Sequence, residues 1–377
     1  MPRYEGQGRG FSLKDQLFNP QKTAVLAGWL EAGFPGFDRP AFEAQVGAKL
    51  PDLELKERIV HIADVLAEHL PKGFPEAAKV IQNCLPPRLD PSLTDDDFGD
   101  FIIAPYGHFV ATRWDGHYDV AMETIRELTM RFSLEDAIRT FLKADEAKGL
   151  AYLDTWSRDN NYHVRRLVSE GTRPRLPWSG RLALPQAPIL DILTRLHADK
   201  TRYVTRSVAN HLNDIAKDAP QTVTDTLSKW HKAKSQSSKE LDWITRHALR
   251  TLIKAGDPVA LDLLGYAPNP PVDIALSLAS ADVKIGETVD IEARITAREK
   301  ANVIIDYALG FRKANGSTQP KMFKLKTLKL KAGQAVTLTK RHRLDGDATT
   351  YKLYPGAHYV QLQINGAAGP RAEFMLH

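Results

Sequence analysis

The chain has 377 residues, 43% of them hydrophobic, and its 51 Lys+Arg against 46 Asp+Glu give a formal charge of +5. That length allows two domains with sizeable cores, and the basic excess is compatible with a polyanionic partner without requiring one. The single cysteine, Cys84, excludes an intrachain disulfide framework and a multi-thiolate metal site, and it fits a reducing compartment.

Met1 to Gly10 is polar and glycine-rich and lacks the apolar core of a signal peptide. No apolar run approaches the roughly 20 residues of a membrane span. We therefore expect a soluble, cytoplasmic protein with no membrane partner. Gly6-Gln7-Gly8-Arg9-Gly10 opens no strand–turn–helix unit and is not a nucleotide fingerprint. Residues 11–267 read as helical. Leu55, Ile59, Ile62, Ala63 and Leu66 recur at helical spacing, as do Ala121, Met122, Ile125, Leu128 and Thr129. Phe34-Pro35-Gly36, Leu85-Pro86-Pro87 and Tyr106-Gly107-His108 read as loops.

The second half of this region repeats. His163-Val164-Arg165-Arg166, Tyr203-Val204-Thr205-Arg206 and Trp243-Ile244-Thr245-Arg246 share one frame, with Arg166, Arg206 and Arg246 spaced 40 residues apart. Glu170, Asn210 and Arg250 follow one helical turn later. A period of about 40 residues is that of HEAT-type helix pairs, which stack into a solenoid with a concave surface. Val164, Val208, Leu212, Ile215, Ala248 and Leu252 supply its core, leaving the polar stripes for the surface. Helices bearing arginine on one face suit a phosphate backbone. Arg158, Arg165, Arg166, Arg173, Arg175, Arg206, Asn210, Arg246 and Arg250 are the candidate DNA contacts, some of the arginines pairing instead with acids such as Asp199 or Glu240. Trp178, bracketed by prolines, either touches DNA or plugs a gap; Trp156 and Trp243 belong to the core.

Pro268-Asn269-Pro270-Pro271 is a stiff linker, and alternation replaces helical spacing beyond it. Val272–Leu278, Val289–Ile295, Val303–Leu309 and His358–Ile364 alternate apolar and polar residues, punctuated by Gly286, Asn315-Gly316, Gly333 and Asp345-Gly346. Residues 272–377 thus read as a small immunoglobulin-like β-sandwich with a lysine-bearing strand, Lys321, Lys324, Lys326, Lys329 and Lys331. The whole is mainly α: a HEAT-like solenoid followed by an all-β sandwich.

Phe132-Ser133-Leu134-Glu135-Asp136-Ala137-Ile138-Arg139-Thr140-Phe141-Leu142 resembles a segment of the AlkC-type DNA alkylation-repair glycosylases. His163 to Trp178 resembles their most distinctive motif, and Ser207–Asp218 and Arg246–Lys254 are similar as well. The likeness runs from Leu13 to about Tyr266. Asp136 stands where an aromatic is common and Thr140 where proline is common. Some members carry a C-terminal immunoglobulin-like domain. The resemblance implies a monomeric, monofunctional enzyme that excises cationic N3-alkylated purines, 3-methyladenine above all, from duplex DNA, without a cofactor.

Such a base is already a good leaving group, so the enzyme must stabilise an oxocarbenium-like sugar and position a water. Carboxylates do both, and Glu135, Glu170 and Asp214 are the candidate catalytic residues. From spacing alone, Glu170 reads first as an i,i+4 partner of Arg166, Glu135 equally as an early helix residue beside a Ser133/Asp136 capping box, and Asp214 as part of a solvated stripe. The resemblance favours catalysis for Glu170 and Glu135, and the short polar Asn210, Asn213 and Asp214 set that stripe apart. His108 and His117 lack partners at ligand spacing, so no metal is expected. The competing function is a non-catalytic HEAT-repeat scaffold binding DNA or an acidic protein. Three acids on the binding face speak against it, since they repel phosphate.

Overall fold

A computed structural model describes residues 12–92, 98–346, 348 and 351–377; the Gly6–Gly10 run lies outside them. The helices run in the order α1 (Leu13–Leu17), α2 (Pro20–Gly33), α3 (Arg39–Gly47), α4 (Leu55–His69), α5 (Phe74–Asn83), α6 (Ala104–Arg113), α7 (Tyr118–Thr129) and α8 (Ile138–Ala144). They continue with α9 (Glu146–Trp156), α10 (Tyr162–Gly171), α11 (Gln186–Leu196), α12 (Arg202–Ile215), α13 (Pro220–Ala233), α14 (Ser238–Ala248), α15 (Arg250–Ala255) and α16 (Pro258–Leu263).

Local chemistry sets many of the boundaries. Asn19, Asp38, Asp145, Asn161 and Asp257 each cap a helix, their side chains accepting backbone N–H groups of the first turn. Proline follows at the start of α2, α3 and α16, where its missing N–H costs nothing. Glu54 and Glu57 close a capping box on α4.

Two sequence expectations give way here. Tyr106-Gly107-His108 is not a loop but the middle of α6. A Cβ on Gly107 would come within 2.5 Å of the Leu134 side chain, so glycine serves close packing rather than a turn. No Ser133/Asp136 capping box forms, because α8 begins only at Ile138 and has no side-chain cap. Glu135 lies in the turn before it.

The chain divides into two compact units: residues up to 215 with 233–244, and residues 216–232 with 245–377. In the first, Val164, Leu167 and Val168 of α10 and Val204, Val208 and Leu212 of α12 are fully buried. These helices pack side by side, as the 40-residue frame predicts.

The second unit holds an eight-stranded sandwich: β1 (Val272–Leu278), β2 (Asp282–Val283), β3 (Thr288–Ala297), β4 (Ala301–Arg312), β5 (Thr318–Leu330), β6 (Ala335–Arg343), β7 (Gly356–Ile364) and β8 (Ala367–Leu376). One sheet is ordered β1-β3-β6, the other β2-β8-β7-β4-β5. Ile291, Ile295, Val303, Ile305, Leu309, Val360 and Leu362 fill the space between them. The lysine-bearing β5 is an edge strand, and Lys324, Lys326 and Lys329 are exposed there, as suits protection of an open edge. Alternate residues of β4 face away from this core. Among them Ile304 packs with Leu261 and Tyr266, so the end of the helical region is seated on the sheet. Asn365, at the β7–β8 turn with φ of 45°, donates to the Ala267 carbonyl and accepts from the Ile304 N–H, both at 2.8 Å.

Candidate active site

Five ionic side chains of the first unit form one connected chain: Glu135, Arg166, Glu170, Arg173 and Asp214. Arg166 and Glu170 sit one turn apart on α10, and Arg166 Nη2 lies 3.5 Å from Glu170 Oε1. The expected i,i+4 pair therefore exists, but it is only one link. Just past the end of α10, Arg173 turns back, donating to Glu170 Oε1 at 2.7 Å and to Asp214 Oδ2 on α12 at 2.9 Å. In the other direction, Arg166 Nη1 donates to Glu135 Oε2 at 3.2 Å. The Ser133 hydroxyl donates to Glu135 and accepts from Arg166, which is why it caps no helix. Ser207 of α12 donates to Glu170 Oε2 at 2.6 Å.

The cluster is largely out of water. Arg166 and Glu170 are each 6% exposed, Arg173 7% and Asp214 2%. Burial alone would raise the Glu170 carboxyl, but Arg166, Arg173 and the Ser207 hydroxyl hold it below the ordinary value, so it is anionic at neutral pH. Burial works against the charge of Arg166 and Arg173 as well, and their acidic neighbours more than compensate. Tyr203 and Phe98 add aromatic faces to the Arg166 guanidinium, at 4.8 and 5.8 Å from its centre. His211, one turn after Ser207, is pushed down to about 4 by burial and by Arg173. It is neutral, and its Nδ1 donates to the Ser169 carbonyl at 3.0 Å.

In this chain three carboxylates alternate with two guanidiniums. Glu135 is its most accessible member, with 27% of its side chain exposed. Among the described residues, all hydrogen bonds to Glu135 go to Oε2, leaving Oε1 available for water. The arrangement can therefore hold fixed negative charge beside a cation and orient a water at one end. Among the described residues, no three His, Cys, Asp or Glu side chains converge in a way that would hold a metal ion.

Comparisons with known proteins identify the relatives of the chain. Residues 273–377 match the family model described as "Uncharacterised protein YhaZ, C-terminal Ig-like domain". Over 366 residues the chain is 32% identical to the uncharacterised protein YhaZ of Bacillus subtilis (strain 168), covering 96% of this chain and 98% of that one. A solved structure of the Pseudomonas fluorescens alkylpurine DNA glycosylase AlkC, bound to DNA containing an abasic site analogue, superposes with a TM-score of 0.85 at 33% identity, covering 97% of this chain and all of the other. The chain belongs to the AlkC-type family.

Within this member of the family the predicted DNA contacts separate into distinct groups. Arg166 and Arg173 are buried in the carboxylate cluster, so they hold acids rather than present themselves to phosphate. Arg165 pairs with Asp199 at 2.5 Å, as the sequence anticipated for some arginines, and Arg202 does the same with Glu240. Arg158 is exposed and bridges to Asp154 at 2.6 Å. Arg175, Arg206 and Asn210 are half-buried, and burial lowers the Arg206 pKa. In the second unit Arg246 is exposed and donates to the Tyr266 hydroxyl at 3.3 Å, while half-buried Arg250 donates to the His247 carbonyl.

Trp178 plugs no gap. It is 71% exposed, with φ of 72° in the left-handed region. Its loop is held by contacts that sequence reasoning missed. Buried Arg139 of α8 donates to the carbonyls of Gly171, Arg173 and Gly180 at 3.0, 2.8 and 2.6 Å. Lys56 donates to the Trp178 carbonyl and Ser179 to Asp136. An arginine inside the apolar run Ala137–Leu142 was the available signal. Trp156 is buried as expected; Trp243 is half-buried under the Arg202 guanidinium, 3.9 Å from its ring centre.

Proposed function

We propose that this chain is a monofunctional DNA glycosylase that hydrolyses the N-glycosidic bond of cationic N3-alkylated purines, above all 3-methyladenine, in duplex DNA. The observation that carries the reading is the connected chain of three carboxylates, Glu135, Glu170 and Asp214, linked by two arginines and accessible at its Glu135 end. The similarity to an alkylpurine DNA glycosylase over 97% of the chain supports it.

In this reading the bond between C1′ and N9 breaks with its electrons, and the alkylated base leaves neutral. Positive charge then moves onto the sugar, where anionic Glu170 stabilises it with Asp214 beside it. Glu135, the accessible end, orients the water that attacks C1′ and takes up its proton. Ser207 and Arg173 fix Glu170, and Arg166 fixes Glu135. Exposed Trp178 contacts the DNA near the lesion, while Arg158, Arg175, Arg206, Asn210, Arg246 and Arg250 engage phosphates. The enzyme acts as a cytoplasmic monomer without cofactor or metal. Among the described residues, no helix is long and apolar enough to cross a membrane.

The test is incubation of the purified protein with methylated duplex DNA, followed by chromatography of the released bases and electrophoresis of the strands. We expect free 3-methyladenine and intact abasic strands, because attack by water on C1′ leaves the sugar–phosphate backbone uncut. Folded protein that releases no base would refute the reading.

A further inference from the structure

The second unit contains a cavity of about 310 Å³ that the chemistry above does not use. That volume falls within the ~300–1,000 Å³ typical of small-ligand pockets. Arg246, Arg250, Lys254 and Lys324 line it, with one carboxylate, Asp306. Four cations and one carboxylate give the lining a formal charge of +3. Lys254 and Lys324 are exposed. Asp306 stands opposite Lys324 across β4 and β5 and opposite Gln363 across β4 and β7. Gln363 Oε1, beside Asp306, is buried and accepts no hydrogen bond. Met322 and Phe323 add apolar wall.

A lining this basic favours an anion. A bare anion set deeply against Asp306 would be repelled, so the guest must place negative charge at the rim of cations and hydrogen-bond donors toward the acidic floor. We propose that this cavity takes a nucleoside phosphate unit: its phosphate against Lys254, Lys324 and the two arginines, its sugar or base against Phe323 and Met322, and its N–H or O–H groups toward Asp306. The unit is a nucleotide of a DNA strand or a free mononucleotide, which share this chemistry. The DNA form rests on the glycosylase reading. Burial raises the Asp306 carboxyl while Lys324 and Lys254 lower it, which accords with a carboxylate enclosed beside two cations.

The experiment uses the full chain and the double variant Lys254→Ala/Lys324→Ala. Duplex affinity is measured by fluorescence anisotropy across a salt series, and deoxyadenosine 5′-monophosphate by calorimetry with deoxyadenosine as control. If the guest is a strand, the double variant binds duplex about tenfold more weakly and its log–log salt slope falls by about 1 to 2, one per lost phosphate contact. If the guest is a free nucleotide, the wild type binds the monophosphate but not the nucleoside, and the double variant loses that binding. Asp306→Asn keeps an acceptor and removes the opposing charge, so it tightens whichever binding is seen. Unchanged duplex affinity and slope, together with no monophosphate binding by the wild type, would overturn the proposal. Because every readout is binding, an absence of base release would refute the glycosylase reading separately from any result of this experiment.

Discussion

Replacing Glu170 with Gln is expected to lower single-turnover base excision by about 10²-fold or more, while DNA affinity stays within a few-fold of wild type. Loss of one preorganised charged group at a developing charge typically has that size. Gln keeps the volume, and its single carbonyl oxygen can still accept from Arg173 while its amide donates to the turned Ser207 hydroxyl, so the change removes mainly charge. It also removes one of the three carboxylates placed to stabilise a cation. Base release under single-turnover conditions, anisotropy with an abasic-analogue duplex and a thermal melt separate chemistry from binding and folding. Excision near the wild-type rate in a folded variant would remove Glu170 from the mechanism.

Arg173→Met should be among the most destabilising single changes in the first unit. It leaves Glu170 and Asp214, 6% and 2% exposed, without their shared guanidinium. Breaking a buried ion pair from one side typically costs about 3–5 kcal/mol. For a domain of this size that corresponds to a fall in Tm of roughly 10 °C, read by calorimetry. A phosphate contact at the surface would behave otherwise: its loss would weaken DNA binding and leave Tm nearly unchanged. That second outcome would mean Arg173 faces DNA, as its spacing alone suggested.

The difference between those outcomes shows where sequence reading stops. Alternation over Val272–Leu278 and Val289–Ile295 marks strands, and Asn161 or Asp257 before an apolar-periodic run marks a helix start, because both signals are written within a few residues. The 40-residue frame likewise predicts that α10 and α12 lie side by side with Val164 and Val208 inside. What a charged side chain touches is another matter. Arg166 and Arg206 hold equivalent places in the frame, yet one is enclosed by Glu135, Glu170 and Tyr203 and the other is half-buried elsewhere on α12. Glu135 and Tyr203 come from segments more than 30 residues away from Arg166, and only packing decides whether they meet. The same holds for Arg139, whose acceptors are carbonyls of a loop after α10. It also holds for Glu135, which its neighbours alone suggested would open a helix.

The central claim is that fixed carboxylates act on a cationic nucleotide. Single-turnover excision compared side by side on duplexes bearing N3-methyladenine and the uncharged base hypoxanthine tests it most directly. The account predicts rapid release of the cationic base and none of the neutral one, because only the former leaves without protonation. Release of hypoxanthine at a comparable rate would contradict it.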